Sequence, residues 1–512
     1  VSTPGDGSWP GDDFDDEPEG AGDATEQSGY GAADNGIAAE ISAATADLDD
    51  DSSEVIPDAP PLTLAVVESL LNQRWPETRI QPSLDRIASL VDLLGSPQTA
   101  YPVIQIAGTN GKTSVSRMID TLLTRLGLRT GRFTSPHLQS VTERISLDNR
   151  PIDENRYVAT YADVAPYVDI VDAASIRNGG VALSKFEILT AMAYAAFADA
   201  PVDVAVVETG IGGTWDSTTV ADATVAVITP IGIDHVDYLG PDINSIAGNK
   251  AGIIKPNATA VIGVQESAAM TTLLRRAVEM DATVARQGSE FMVIDRGIAV
   301  GGQRLTIQGL GGVYDEIFLP LHGEHQATNA ALALAAVEAF FGAGRGRQLD
   351  VAAVQDAFAA VASPGRLERV KAGPTEPTIL IDAAHNPHGA RALAAAIAEE
   401  FAFSRLVGVL AVMGDKDVDG ILAALDDVLD EVVVTVNSSP RSLPVVDLAG
   451  HAVKVFGEDR VHTAPRLDQA VALAVDLAQA DSDVTGGGVG VLVTGSVVSA
   501  GDARTLAGLP SQ

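Results

Sequence analysis

The chain of 512 residues is 46% hydrophobic and 4% aromatic, has a formal net charge of −36 and contains no cysteine. Such a length suggests about two or three domains with ample apolar sequence for a core. The missing cysteine excludes disulfides, thiolate metal sites and a thiol nucleophile. So acidic a surface argues against nucleic acid and against an anionic membrane face, and leaves any anionic substrate dependent on a locally basic site.

Residues 1–60 hold 17 Asp and Glu and no Lys or Arg. Low hydrophobicity with that charge predicts a disordered acidic tail. No apolar run reaches membrane-spanning length, and no basic segment leads into an apolar stretch as in a secretory signal. A cytoplasmic protein is expected. From Pro61 to Leu94 the apolar spacing reads as helical. Strands then alternate with helices, at Pro102–Ala107, Val202–Val207, Thr224–Thr229 and Thr259–Val264, which predicts a parallel α/β architecture. Ser363-Pro364-Gly365-Arg366 reads as a hinge. A second α/β series follows, with strands at Thr378–Ile381, Leu406–Val412, Glu431–Val436 and Gly490–Val493. The expected organisation is the tail, a domain over 61–362 and a domain over 363–512.

The first strand runs into Gly108-Thr109-Asn110-Gly111-Lys112-Thr113-Ser114 and then a helix over Val115–Leu126. Strand, glycine-rich loop and helix make a phosphate loop. Backbone N–H groups converge on phosphate oxygens and the helix N-terminus adds positive potential. Lys112 reaches the outer phosphates, and Thr113 is the generic candidate for magnesium. Position 106 is Ile where the generic pattern has Gly, so the loop is a shortened form.

The shortened loop resembles that of the Mur ligase superfamily. Further motifs in order, from about Pro82 to Arg504, resemble its folylpolyglutamate synthase and dihydrofolate synthase branch. The resemblance implies a Mur-ligase-like P-loop ATPase domain followed by a smaller Rossmann-like α/β domain. Thr134-Ser135-Pro136-His137-Leu138 precedes Glu143-Arg144-Ile145 and is similar to the family's loop over the nucleotide. That similarity implies Ser135, rather than Thr113, as a magnesium ligand. Arg144 either neutralises a substrate carboxylate or pairs with Glu143 on the surface.

Glu208 ends an apolar strand, where α/β sheets bind ligands and a carboxylate can hold magnesium. The family places a metal-binding Glu there. Gly212-Gly213-Thr214-Trp215-Asp216-Ser217-Thr218-Thr219 departs from the family pattern, with Thr214 replacing an Arg and Thr219 an Asn. Trp215, Asp216 and Ser217 still fit a pterin site, through an aromatic face for stacking and a carboxylate for ring N–H groups. Ser184-Lys185-Phe186-Glu187 resembles a second pterin-bordering segment.

His235 follows the strand Thr224–Thr229, and the resemblance implies a second magnesium there. Gly248-Asn249-Lys250 resembles the segment whose lysine is carbamylated. Carbamylation needs a neutral amine and so a buried one. The chain has only seven lysines against 26 arginines, yet Lys112, Lys250 and Lys416 each sit in such a motif.

Beyond these, Asn329 opens an Ala-rich helix and matches an adenine-contacting Asn. Arg366 matches an Arg that reaches ATP phosphate. Asp382 matches a ribose ligand, and His385 a residue at the glutamate site. The implied function is ATP-dependent ligation of glutamate to a folate or pteroate carboxylate by a monomer with two magnesium ions. The rivals are a peptidoglycan Mur ligase, for which too little chain precedes the loop, and a P-loop ATPase switch.

Overall fold

A computed structural model describes residues 62–75, 81–342, 344, 346–370, 377–480 and 488–512. The acidic stretch 1–60 lies outside the described residues. Two mainly parallel sheets organise the rest. The larger has eight strands in the order β4-β3-β2-β5-β1-β6-β7-β8. Its members are β1 (Val103–Ala107), β2 (Thr130–Phe133), β3 (Ile145–Leu147), β4 (Arg150–Pro151), β5 (Val204–Glu208), β6 (Val225–Ile228), β7 (Thr259–Ile262) and β8 (Thr283–Arg286).

The strand β1 lies between β5 and β6, parallel to both. It is buried along its whole length. Its alternating side chains enter different cores, as period-2 geometry requires. Ile104 and Ile106 pack with the helices Lys112–Arg125 and Glu324–Phe340. Val103 packs on the other face with the helix Lys185–Asp199.

The smaller sheet contains β12 (Glu368–Val370), β13 (Thr378–Ile381), β14 (Phe403–Leu410), β15 (Glu431–Val434), β16 (Val461–Thr463) and β17 (Gly488–Thr494), in the order β12-β13-β17-β14-β15-β16. Only β12 runs antiparallel there. Between the two series, β9 (Met292–Ala299), β10 (Gly302–Gln308) and β11 (Val313–Leu319) form an antiparallel sheet.

Several expectations need correction. The described residues of the 61–94 segment form two helices, Leu64–Asn72 and Asp85–Leu93. Thr63 caps the first through its side chain. The helix after the phosphate loop starts at Lys112, not Val115, because Gly111 takes a left-handed φ of 88° and turns the chain directly into it. Asn329 does not open its helix, which begins at Glu324. It sits buried in the second turn.

The strand β2 lacks an apolar run because it carries the fully buried Arg132. That guanidinium donates to Asp120 Oδ2 at 2.9 Å, Asn149 Oδ1 at 3.0 Å and Ser146 Oγ at 2.9 Å. Both side chains of the Arg132–Asp120 pair are essentially inaccessible, at 0% and 1%. Removing one partner strands a buried charge, so Asp120→Ala should cost about 3–5 kcal/mol in denaturant unfolding. A loss under about 1 kcal/mol would show that the pair is not what holds β2 to its neighbouring helix.

Candidate active site

Three adjacent strands of the large sheet deliver their C-terminal ends to one place. The strand β1 leads into the phosphate loop, β5 ends at Glu208, and β6 leads to Asp234 and His235. The small sheet contributes the segments after β13, β14 and β17. Together they line a cavity of about 970 Å³. Every candidate catalytic, nucleotide, metal or substrate residue named above lines it except Arg144.

In the loop, Lys112 Nζ lies 3.2 Å from Gly108 O and 3.3 Å from Thr109 O. Lys250 Nζ donates to the same Gly108 carbonyl at 2.8 Å. A Cβ on Gly111 would stand 2.8 Å from Asn329 Oδ1, so glycine there admits the asparagine against the loop. Ser114 is buried and joins Ser363 Oγ at 3.2 Å and Gln326 Nε2 at 3.4 Å.

Glu208 is buried, and its Oε1 accepts from Thr113 Oγ1 at 3.0 Å. Burial pushes its carboxyl up to about 7, against the opposing pull of Lys112, Thr113, Arg366 and the Ser135 backbone. Its buried Oε2 has no hydrogen-bond partner among the described residues. A buried carboxylate oxygen lacking a donor, with the hydroxyl of Thr113 and the backbone of Ser135 beside it, fits a hard oxygen-preferring cation such as magnesium.

Lys250 is likewise buried, which lowers its amine to about 7, with Lys112 adding to the shift. His235 takes a left-handed φ of 52° ahead of a short helix. Burial lowers its imidazole to about 4 despite Asp234.

The substrate-side residues are heavily engaged. Ser184 and Glu187 form a reciprocal capping box at the start of the helix Lys185–Asp199. Glu187 also accepts from Arg86 Nε at 3.0 Å. Phe186 packs on Phe133 at 5.8 Å between ring centroids. Asp216 Oδ2 accepts from Ile211 N at 3.0 Å, and Oδ1 from Thr218 Oγ1 at 2.6 Å. The two departures from the family pattern tie down the same loop. Thr219 Oγ1 donates to Gly213 O at 2.6 Å, and Thr214 Oγ1 to Asn249 O at 3.0 Å.

Arg144 is not on the surface with Glu143. It is buried and its Nε donates to His137 Nδ1 at 2.9 Å. Glu143 instead accepts from the backbone of Leu138, Gln139 and Ser140.

From the small sheet, Asp382 accepts from Leu367 N at 2.8 Å and Ala384 N at 2.7 Å. Burial raises its carboxyl, countered by Arg366. His385 places Nδ1 3.0 Å from Ala383 O, and burial lowers its imidazole to about 4.

A polar latch crosses between the sheets, joining residues whose pairing the sequence does not show although Asn110 and Lys416 lie in motifs. Asn110 and Asn386 exchange amide hydrogen bonds at 3.2 and 3.1 Å. Asp234 accepts from Lys416 Nζ at 2.9 Å and Asn386 Nδ2 at 3.1 Å. Burial opposes ionisation of Asp234, but His235, Lys416 and His385 outweigh it and hold the carboxyl well below its usual range. Arg86, which also lines the cavity, is outside every motif.

Comparison with known proteins places this arrangement. Residues 184–337 match the Mur ligase middle domain, and 365–497 the Mur ligase glutamate ligase domain. The chain is 62% identical to the dihydrofolate synthase/folylpolyglutamate synthase of Mycobacterium tuberculosis, over 88% of this chain and 95% of that protein. It is 32% identical to the Escherichia coli protein of the same name, over 73% and 82%. The structure of Mycobacterium tuberculosis folylpolyglutamate synthase complexed with ADP superposes with a TM-score of 0.83, covering 88% of this chain and 99% of that one at 62% identity. The structure of Escherichia coli FolC with DHPP and ADP superposes at 0.73, over 88% and 99%, at 30% identity. The chain belongs to the dihydrofolate synthase/folylpolyglutamate synthase family of Mur ligases.

Proposed function

We propose that this chain joins L-glutamate to a folate-type carboxylate with ATP, making folylpolyglutamate and, from dihydropteroate, dihydrofolate. The observation that carries the reading is one cavity holding a phosphate loop, a buried carboxylate and the Asp382–His385 segment together. Family membership favours it over a peptidoglycan ligase or an ATPase switch.

In this reading the loop N–H groups of 108–114 and Lys112 hold the phosphates. Asn329 borders the adenine and Asp382 the ribose. Arg366 neutralises charge on the transferring phosphoryl group. The acceptor carboxylate oxygen attacks the γ-phosphorus, the bond to the β-phosphate breaks, and ADP leaves behind an acyl phosphate. The glutamate amine then attacks the acyl carbon and phosphate departs. His385 turns Nδ1 to the Ala383 carbonyl and Nε2 toward Asp234 Oδ2, 4.0 Å away, and borders the place where the glutamate amine loses its proton. Trp215, Asp216, Ser217, Phe186 and the Ser184–Glu187 cap shape the pterin end.

Glu208, with Ser135, would hold one magnesium, and His235 with a carbamylated Lys250 a second. When bound, the metal supplies charge neutralisation between phosphates. Lys250 meets the requirement for carbamylation, a buried amine with a lowered pKa. Two lobes, 61–362 and 363–512, meeting at Ser363–Arg366 would let closure exclude water from the acyl phosphate. A site complete within one chain supports a monomer.

Acceptor labelled with oxygen-18 in its carboxylate tests the acyl phosphate. One labelled oxygen should appear in released phosphate for each amide formed. Unlabelled phosphate would overturn the mechanism. Separate reactions with dihydropteroate and tetrahydrofolate show which acceptors are used.

A further inference from the structure

The first turn of the helix Val497–Leu506 lines the cavity at Val497 and Val498. Two turns later the helix carries Arg504, whose side chain is 1% exposed. Buried arginine needs a full set of partners, and here they come from three separate segments of the chain. Its Nε donates to Gln139 Oε1 at 2.9 Å. Its Nη1 pairs with Glu368 Oε1. Its Nη2 donates to Pro510 O at 2.6 Å. Gln139 Nε2 donates in turn to Leu509 O at 3.0 Å.

Two of the three partners, Gln139 and Glu368, lead to residues of the proposed chemistry. Gln139 lies four residues after Ser135, in a loop made stiff by Glu143, which accepts from the N–H groups of Leu138, Gln139 and Ser140 at 2.8, 3.1 and 3.1 Å. Glu368 uses its other oxygen to accept from Gly365 N at 2.8 Å, directly before Arg366. The backbones also interlock. A Cβ on Gly501 would collide with the Leu138 carbonyl, so glycine there lets the Ser135 loop seat on the helix. Leu138 also reaches Gly365, whose Cβ position lies 3.2 Å from Leu138 Cδ2.

We propose that Arg504 is a positioning residue that ties the Ser135 loop to the Arg366 turn, fixing the spacing between the metal-facing serine and the phosphate-facing arginine. The planar guanidinium serves three directions at once, which an ammonium on a flexible stem cannot do. The inference rests on the reading of Ser135 and Arg366 as facing metal and phosphate. Arg504 itself does not line the cavity, so its influence is indirect.

Arg504→Lys keeps the charge opposite Glu368 but loses the fork. In the full chain it should raise the half-saturating concentrations of ATP and magnesium about tenfold, since small displacements of positioned groups carry penalties of that size or more. Half-saturation by glutamate should rise less, by about twofold to threefold, because the strut reaches the Asp382–His385 segment only through the Arg366 turn, where Leu367 N donates to Asp382 Oδ2 and Ala383 N to Gly365 O. Gln139→Ala, at a partly exposed position, should shift ATP and magnesium in the same direction by about threefold. The double variant should be no worse than Arg504→Lys, as expected for two groups acting as one strut. Unchanged ATP and magnesium dependence in folded Arg504→Lys would overturn the proposal, as would equal rises for all three ligands. If Arg504→Lys does not fold, Gln139→Ala decides alone, and a magnesium dependence identical to the unaltered protein overturns it. Ser135→Ala separates the two levels. If it leaves magnesium dependence unchanged, the underlying reading fails. If it shifts that dependence while Arg504→Lys does not, only the strut fails.

Discussion

Lys112→Ala should abolish ligation and leave the protein folded. The Lys112 ammonium lies over the phosphate loop, within 3.3 Å of two of its carbonyls, and the loop backbone is held by other groups. Thr109 Oγ1 donates to Gly232 O at 3.0 Å, and its N–H bonds to Pro230 O at 3.1 Å. Glycine at 111 admits Asn329. Nothing in that packing needs the lysine. The chemistry does, because charge gathers on the phosphate oxygens as the γ-phosphoryl group transfers, and loss of a preorganised donor there costs about 10²–10³ in rate. Single-turnover ligation beside thermal unfolding checks both halves. Near-normal turnover by the folded variant would mean that the loop is not the ATP site.

Lys250→Ala should lose activity on the order of a hundredfold, comparable to removing a metal ligand or its immediate support. Lys250→Arg should be equally inactive, since a guanidinium cannot form a carbamate. The amine is buried and lowered to about 7, so a sizeable neutral fraction can react with carbon dioxide. The resulting carbamate keeps one N–H, so the bond to Gly108 O can persist. Short carboxylates added to Lys250→Ala should restore part of the rate by replacing the missing oxygens. Full activity of Lys250→Arg would reduce Lys250 to a positive charge and remove the carbamate from the account.

Lys112 is legible in the sequence for a local reason, whereas Lys250 is read through the resemblance of its segment to the family's. Loop, strand end and helix start are set by neighbours in the chain, so Gly108–Ser114 and Glu208 announce themselves through their flanking residues alone. What stays hidden depends on distant partners. Asn386 meets Asp234 across 152 positions, and Lys416 meets it across 182. Arg144 reads equally as a partner for a substrate carboxylate or as a surface cation paired with Glu143, and folding buries it on His137. The strand β2 fails every apolar-run rule because its core side chain is an arginine satisfied by Asp120. The antiparallel sheet β9–β11 does carry a local signal, which a search for apolar runs passes over. Leu305-Thr306-Ile307-Gln308 in β10 alternates, and Val300-Gly301 between β9 and β10, with Gly302 opening β10, marks a two-residue hairpin turn.

The Thr214 and Thr219 departures have a local account. Both hydroxyls bond backbone carbonyls, and together they hold the Gly213 loop against Asn249. Position 214 carries no arginine, while Arg86 lines the cavity from the helix Asp85–Leu93.

The central claim is that ATP cleavage in this cavity is coupled to amide formation. Purified full-length protein with ATP, magnesium, a pteroate or folate acceptor and glutamate should yield ADP and glutamylated product one to one. Omitting either the acceptor or glutamate should stop product formation and sustained ADP release. Steady ATP turnover without both partners, or ADP release with no glutamylated product, would contradict it.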